Sequence, residues 1–156
     1  MIRWQNILPL TLFLLCLGAP WLPAQADDLL MARTSHPFPE AMLALQAAID
    51  EHGYRISRVQ RVDVGLTRSG FKTDKYRLVF FGKPDEIRRL LHRYPHLAPY
   101  LPLKITLFAE GDDTLLTTFD PTMLTRLAAQ DNDLRLHLKR WKNDLLSIFR
   151  EVREGE

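Results

Sequence analysis

The stretch between Asp63 and Arg77 has the residue types best suited to binding an anion. Cationic and hydroxyl side chains alternate with glycines there, in the set Gly65, Thr67, Arg68, Ser69, Gly70, Lys72, Thr73 and Lys75. Backbone N–H groups of glycine-containing turns, together with guanidinium or ammonium groups, can hold a carboxylate or a phosphate. We therefore predict a site for a small anion or an acidic partner surface, with four candidate ligand-binding residues: Arg68, Lys72, Asp74 and Lys75. The alternative is a solvated loop held by its own Asp–Arg and Asp–Lys pairs.

The sequence has no recognisable catalytic set. No serine lies in a Gly-x-Ser-x-Gly elbow, and the single cysteine, Cys16, falls in an apolar run near the N-terminus. We therefore predict no catalytic residue and favour binding over catalysis. An enzyme with a polar cleft built around residues 63–77 stays as the alternative, because Asp63 and Asp74 could meet Arg68 and Lys72 there.

Two patterns share part of the spacing of metal sites. His92 and His96 are four residues apart, the spacing that places two imidazoles on one helix face, but Pro95 forces Tyr94 out of the helical conformation. The acidic run at 110–113 is only part of a calcium loop, and a strand follows it directly. We expect exposed histidines, a hairpin turn, no metal and no cofactor.

Residues 1–26 have the features of a signal peptide. Arg3 precedes an apolar run at 7–17, Pro20 and Pro23 follow the run, and Ala24-Gln25-Ala26 is a small-x-small cleavage site. The run is shorter than the roughly 20 residues that span a bilayer. We predict cleavage after Ala26 and a periplasmic location, with no membrane association afterwards. An uncleaved signal that anchors the protein in the membrane is the alternative.

Removal of these residues would leave a nearly neutral chain of one-domain size, 27–156. Arg3 is the only charged residue before the cut, so the formal charge would fall from +2 to +1. That balance does not indicate a nucleic-acid partner or an anionic membrane surface. No cysteine would remain, which excludes disulfides and cysteine metal ligands.

Hydrophobic periodicity predicts an α+β fold. Strands are predicted at 29–35, 54–60, 76–81, 103–108 and 114–119, with the first at an edge and the third central. Helices are predicted from 38 to about 52, from 84 to 94 and over 121–129. The segment 62–75 fits either a short helix or an irregular loop, and the alternation slips near Val59, which indicates a bulge or an early strand end. Hairpin connections imply a mostly antiparallel sheet with helices on one face.

The C-terminal helix is predicted to be long and amphipathic. Its apolar stripe consists of Leu134, Leu138, Trp141, Leu145, Ile148 and Val152. Beside it runs a basic shoulder of Arg135, Lys139, Arg140 and Lys142. The stripe favours docking onto the domain's own sheet or onto a second subunit, with Trp141 as anchor; lying on an anionic membrane is the alternative.

Four short motifs in order resemble the DUF302 domain: Gly53-Tyr54-Arg55-Ile56, Val79-Phe80-Phe81-Gly82-Lys83-Pro84, Leu101-Pro102-Leu103-Lys104 and Phe119-Asp120-Pro121. This small family of bacteria and archaea has no established biochemical activity. The resemblance covers about residues 31–127 and leaves the C-terminal helix outside. It implies a TBP-like fold, a curved antiparallel sheet backed by helices in the order β-α-β-β-α-β-β-α, and a homodimer. Many members carry a histidine where this chain has Arg61-Val62-Asp63-Val64, so no role of that histidine carries over.

The sequence thus predicts a signal peptide at 1–26, a DUF302-like domain at 27–130 and a C-terminal helical extension at 131–156. We expect a periplasmic domain that binds a small ligand or a protein partner without catalysis. A further alternative to the enzyme is an accessory subunit of a membrane or redox complex. This alternative predicts that removal of residues 134–156 leaves the domain folded but abolishes its association with the complex.

Overall fold

Five antiparallel strands form one sheet in the computed structural model, which describes residues 28–128 and 131–155. The strands are β1 (Leu29–Thr34), β2 (Arg55–Arg61), β3 (Tyr76–Gly82), β4 (Leu103–Glu110) and β5 (Asp113–Phe119). Their order across the sheet is β1-β5-β4-β3-β2, and every neighbouring pair is antiparallel. The predicted signal peptide lies outside the described residues.

Four α-helices and two 3₁₀ helices connect and cover the strands in the described part of the chain. The α-helices are α1 (Phe38–Glu51), α2 (Val62–Arg68), α3 (Pro84–Arg93) and α4 (Asn132–Glu154). The 3₁₀ helices are Pro95–Tyr100 and Pro121–Ala128. Pro84 stands in the first turn of α3, where its missing N–H costs no hydrogen bond, and Asp131 caps α4 by accepting from the Leu134 N–H at 3.1 Å.

One face of the sheet is buried and the other is half-exposed. Along β4, Leu103, Ile105 and Leu107 are buried, whereas the residues between them are only partly covered. Successive side chains of a strand point to opposite faces, so this alternation assigns the buried set to the helix side. On β5 the same face carries Leu116. The result is a two-layer α+β fold, as predicted from the sequence.

The C-terminal helix α4 completes the hydrophobic core. All six residues of its predicted apolar stripe are buried, and Phe149 joins them. The helix packs against α1, β1 and the second 3₁₀ helix. Two cations of its basic shoulder point inward to ion pairs, Arg140 with Glu86 and Lys142 with Asp120. The helix therefore docks onto the domain itself, and its apolar stripe is occupied by the core.

Several local expectations are refined by the structure. β1 is an edge strand, as expected, whereas the strand predicted to be central, β3, lies one place from the other edge and β4 occupies the middle. Residues 62–68 form the helical part of the ambiguous segment. The predicted slip in β2 is a register shift between Ile56 and Arg58. The predicted helix at 121–129 is a 3₁₀ helix.

No helix of the described ranges, 28–128 and 131–155, is long and apolar enough to span a bilayer.

Candidate functional site

The predicted polar segment folds into an open hollow beside α2. Six residues line it: Asp63, Val64, Thr67, Arg68, Thr73 and Lys75. Its volume is about 510 Å³, within the range of small-molecule sites. The first four come from α2 and the last two from the segment that leads into β3.

A glycine turn brings the two sides of the hollow together. Gly70 has φ of +85°, a conformation that side-chain-bearing residues rarely adopt, and it reverses the chain after α2. The Gly70 N–H donates to the Thr67 carbonyl at 3.0 Å, and the Phe71 N–H donates to the Leu66 carbonyl at 3.0 Å. These bonds end the helix and return the chain past it, so that Thr73 and Lys75 face the same space as Thr67 and Arg68.

The only carboxylate that lines the hollow is already neutralised. Asp63 accepts a short hydrogen bond from the Arg77 guanidinium, and both side chains are largely buried. Arg77 also donates to the Tyr76 carbonyl at 3.1 Å. The hydrogen bond from Arg77 holds the pKa of Asp63 below its ordinary value of 3.8. Asp63 therefore stays ionised and bound to Arg77, and it adds no uncompensated negative charge to the hollow.

Two cations remain available to a ligand. Arg68 and Lys75 are exposed, and neither forms an ion pair with any residue of the described ranges. The Lys75 ammonium lies 5.9 Å from the centroid of the Phe38 ring, which helps to hold it in place. The Thr67 hydroxyl supplies a further hydrogen-bonding group, whereas the Thr73 hydroxyl already donates to the Asp74 carbonyl at 3.2 Å. This set can bind an anion by charge-assisted hydrogen bonds.

The other two predicted site residues do not line the hollow. Lys72 and Asp74 are exposed, and neither is among the six lining residues. The four groups of the enzyme alternative, Asp63, Asp74, Arg68 and Lys72, therefore do not share one cavity. Phe71, which follows the turn at Gly70, is 63% exposed.

The hollow belongs to a strongly cationic part of the molecule. Eight of the 21 Lys and Arg residues and two of the 19 acids lie between Arg55 and Lys83, a formal charge of +6. The edge strand β2 contributes three of these cations, Arg55, Arg58 and Arg61. Charges on an edge strand also discourage pairing with strands of other molecules. A ligand at the hollow thus meets a positive field from the whole β2–β3 pair.

A second polar cluster between α3 and α4 has residues that sequence reasoning did not connect. The Glu86 carboxylate is buried and accepts from Arg140, while the His137 Nδ1 lies 3.0 Å from its Oε1. The Tyr54 hydroxyl donates to Asp144 at 2.5 Å. Burial and that hydrogen bond raise the pKa of Tyr54 far above its ordinary value. Glu86 and Arg140 are 54 residues apart in the chain, so no local spacing could have paired them.

The histidine and hairpin patterns behave as expected. His92 is exposed at the end of α3 and His96 lies in the following 3₁₀ helix, so they share no helix face. Residues 110–113 form the β4–β5 turn, with Gly111 at φ of +63°. Within 28–128 and 131–155, no group of three His, Cys, Asp or Glu side chains could hold a metal ion.

Comparison with known proteins identifies the family. A family model described as "Domain of unknown function DUF302" matches residues 31–152. The crystal structure of the uncharacterised conserved protein DUF302 from Bacillus stearothermophilus has the same fold, with a TM-score of 0.72 and 19% sequence identity. The similarity covers 81% of this chain and 98% of that chain. No curated protein matches the sequence.

The family match extends further than the four sequence motifs. It continues to residue 152 and so includes the C-terminal helix, which the predicted resemblance had left outside. The packing of α4 gives the physical reason, because the helix supplies seven buried residues to the common core. Because the family model matches the chain from β1 through α4, this protein belongs to the DUF302 family.

Proposed function

We propose that the protein binds a small anion, a carboxylate or a phosphate, in the hollow beside α2 without catalysing a reaction on it. The observation that carries this proposal is the charge balance of the hollow. Arg68 and Lys75 line it without ion-pair partners in the described residues, while its single carboxylate, Asp63, is neutralised by Arg77. An anion would therefore gain two cationic partners without meeting an uncompensated negative charge.

The location of the hollow also supports binding of a diffusing ligand. The positive field of the segment from Arg55 to Lys83 would attract anions and speed their association, more strongly at low salt. We propose that the protein meets its ligand in the periplasm, because residues 1–26 have the features of a cleaved signal peptide.

Isothermal titration calorimetry with inorganic phosphate and with citrate tests the anion site. We expect the double variant Arg68→Gln/Lys75→Gln to bind at least about tenfold more weakly, because two charge-assisted hydrogen bonds are lost. Lys72→Gln is the matched control, since it removes the same charge from the same segment outside the hollow. Equal weakening by Lys72→Gln would show that only the general positive field matters. Absence of binding of either anion at millimolar concentration would refute the proposal.

A homodimer is a second proposal, supported by the half-exposed face of the sheet. This face carries an apolar set from four strands: Leu29, Met31, Tyr76, Leu78, Phe80, Phe108, Leu115 and Phe119. Met31 is 59% and Leu29 48% exposed. Polar side chains of the same face lie among them: Arg33, Lys104, Thr106 and Thr117. Exposed apolar surface bordered by polar groups is typical of protein interfaces. A second copy could cover it by packing sheet against sheet about a two-fold axis, the commonest symmetry of homodimers.

A further inference from the structure

A second hollow lies at the opposite end of β2 and β3 from the anion site. Six residues line it: Arg55, Ser57, Gly82, Pro84, Ile87 and Pro102. Its volume is about 380 Å³, and most of its surface is apolar. This outer hollow is large enough for a ligand of about ten non-hydrogen atoms.

An inner hollow continues from it toward the core. The two share Gly82 and Ile87, and the inner one is also lined by Tyr54, Lys83, Glu86, Leu101, Leu103 and Trp141. The Ile87 side chain therefore borders both hollows. A side chain on Gly82 would overlap the Ile87 Cδ1 atom, so glycine is required for Ile87 to keep this position.

One residue that lines the inner hollow, Trp141, has a buried donor without a partner. Trp141 is 2% exposed, and its indole Nε1 makes no hydrogen bond. A buried N–H without a partner costs free energy, so native proteins rarely leave one. The group is therefore best explained as one that a ligand satisfies.

The remaining polar groups define what that ligand must be. The Tyr54 hydroxyl donates to Asp144, and the Glu86 carboxylate forms an ion pair with Arg140. Three donors around the two hollows have no acceptor within the described ranges: the Trp141 N–H, the Lys83 ammonium, which lies 4.6 Å from the Tyr54 ring centroid, and Arg55 at the rim. Neither cation forms an ion pair within the described ranges. The polar end of the ligand must accept hydrogen bonds and is best negatively charged.

We propose that this double hollow binds a short aliphatic carboxylate of about six carbons. Its carboxylate accepts hydrogen bonds from Trp141 Nε1 and Lys83, and its alkyl chain lies against Pro84, Ile87 and Pro102. The inner hollow does not admit a water-sized sphere, so the Ile87 side chain turns aside when the ligand enters. This site is separate from the anion hollow and does not rest on the function proposed for it.

Nuclear magnetic resonance of the ¹⁵N-labelled full chain tests this site directly, because each tryptophan gives one indole N–H signal. The signal of Trp141 is assigned with Trp141→Phe and followed during titration with hexanoate. Hexan-1-ol and acetate are the matched probes, since the first lacks the charge and the second lacks the chain. We expect a saturable shift of the Trp141 signal with hexanoate, and binding at least about tenfold weaker with each control probe.

Variants separate this site from the anion hollow. Lys83→Gln should weaken hexanoate binding about tenfold, because a charge-assisted hydrogen bond is lost. Arg126→Gln removes an exposed cation elsewhere and should leave it unchanged, as should Arg68→Gln/Lys75→Gln. The proposal is overturned if hexanoate leaves the Trp141 signal in place, if hexan-1-ol binds equally well, or if Lys83→Gln has no effect.

Discussion

Two carboxylates of this protein, Asp63 and Asp120, are each held ionised by an ion pair with one cation. Asp63 and Asp120 are both mostly buried and both bind a cation, Arg77 and Lys142 respectively. Asp120 also accepts from the Thr122 N–H at 2.8 Å and from its hydroxyl at 2.7 Å. Burial alone would raise the pKa of Asp120, but the hydrogen bonds from Lys142 and Thr122 outweigh burial and lower it below 3.8.

The lowered pKa of Asp120 predicts acid-sensitive stability. A carboxylate whose pKa is lower in the folded state stabilises that state above its unfolded pKa, near 3.8, and this stability is lost as the pH falls through the folded pKa. Asp120→Asn should lower the free energy of unfolding at pH 7 by about 2 kcal/mol, because Lys142 loses its partner. Urea unfolding between pH 7 and pH 2 measures both effects. Asp112→Asn, in the exposed hairpin turn, is the control and should change neither; an equal loss in both variants would contradict this account.

At the scale of elements, the C-terminal helix is an integral part of the core. Its stripe residues, from Leu134 to Val152, are buried against α1 and β1. The accessory-subunit interpretation expected the opposite, a domain that stays folded without this helix. The buried apolar area of a helix this long is a large share of the stability of a small domain.

Removal of residues 134–156 should therefore unfold the protein. Circular dichroism and the dispersion of amide NMR signals measure this, and a truncated protein that keeps a cooperative thermal transition would contradict it.

A graded comparison uses two leucines on α4. Leu138→Ala, fully buried, should cost about 3 kcal/mol, whereas Leu136→Ala, 67% exposed, should cost less than about 0.5 kcal/mol.

At the scale of the whole molecule, the helices cover only one face of the sheet. The uncovered face carries Met31 on β1 and Leu115 on β5, with Arg33 opposite Leu115, and the cationic β2 edge is at the far side. An apolar area flanked by charge favours association through the apolar part. The proposed dimer therefore uses the sheet face, and both hollows beside β2 and β3 can stay open to ligands.

Substitution of the sheet face should produce monomers without unfolding the chain. Met31→Asp/Leu115→Asp places two charges in the proposed interface, where burial without a partner is costly. Light scattering coupled to size-exclusion chromatography should show the mass fall from two chains to one. Leu43→Asp, at a leucine on α1 that is 67% exposed, is the control and should keep the mass of two chains. A monomeric wild-type protein would exclude the dimer.

The sequence by itself determined the elements, because these depend on local patterns. The alternation of Leu103, Ile105 and Leu107 predicts a strand with one buried face, and the stripe of α4 predicts a buried helix. Glycine and proline positions predicted where most helices begin or end, as at Gly53 after α1 and at Pro84 in the first turn of α3. Such signals act over a few residues, so they can be read without knowledge of the fold.

Only the tertiary structure decided which polar groups meet. Arg68 and Lys75 line one hollow while Lys72 and Asp74, equally polar and nearer to each other in the chain, do not. The turn at Gly70 makes that selection through its backbone geometry. The unpartnered nitrogen of Trp141 is likewise invisible in the sequence, because hydrogen bonding between distant residues depends on three-dimensional packing. Residue types therefore indicated an anion-binding chemistry, and the fold decided where it can occur.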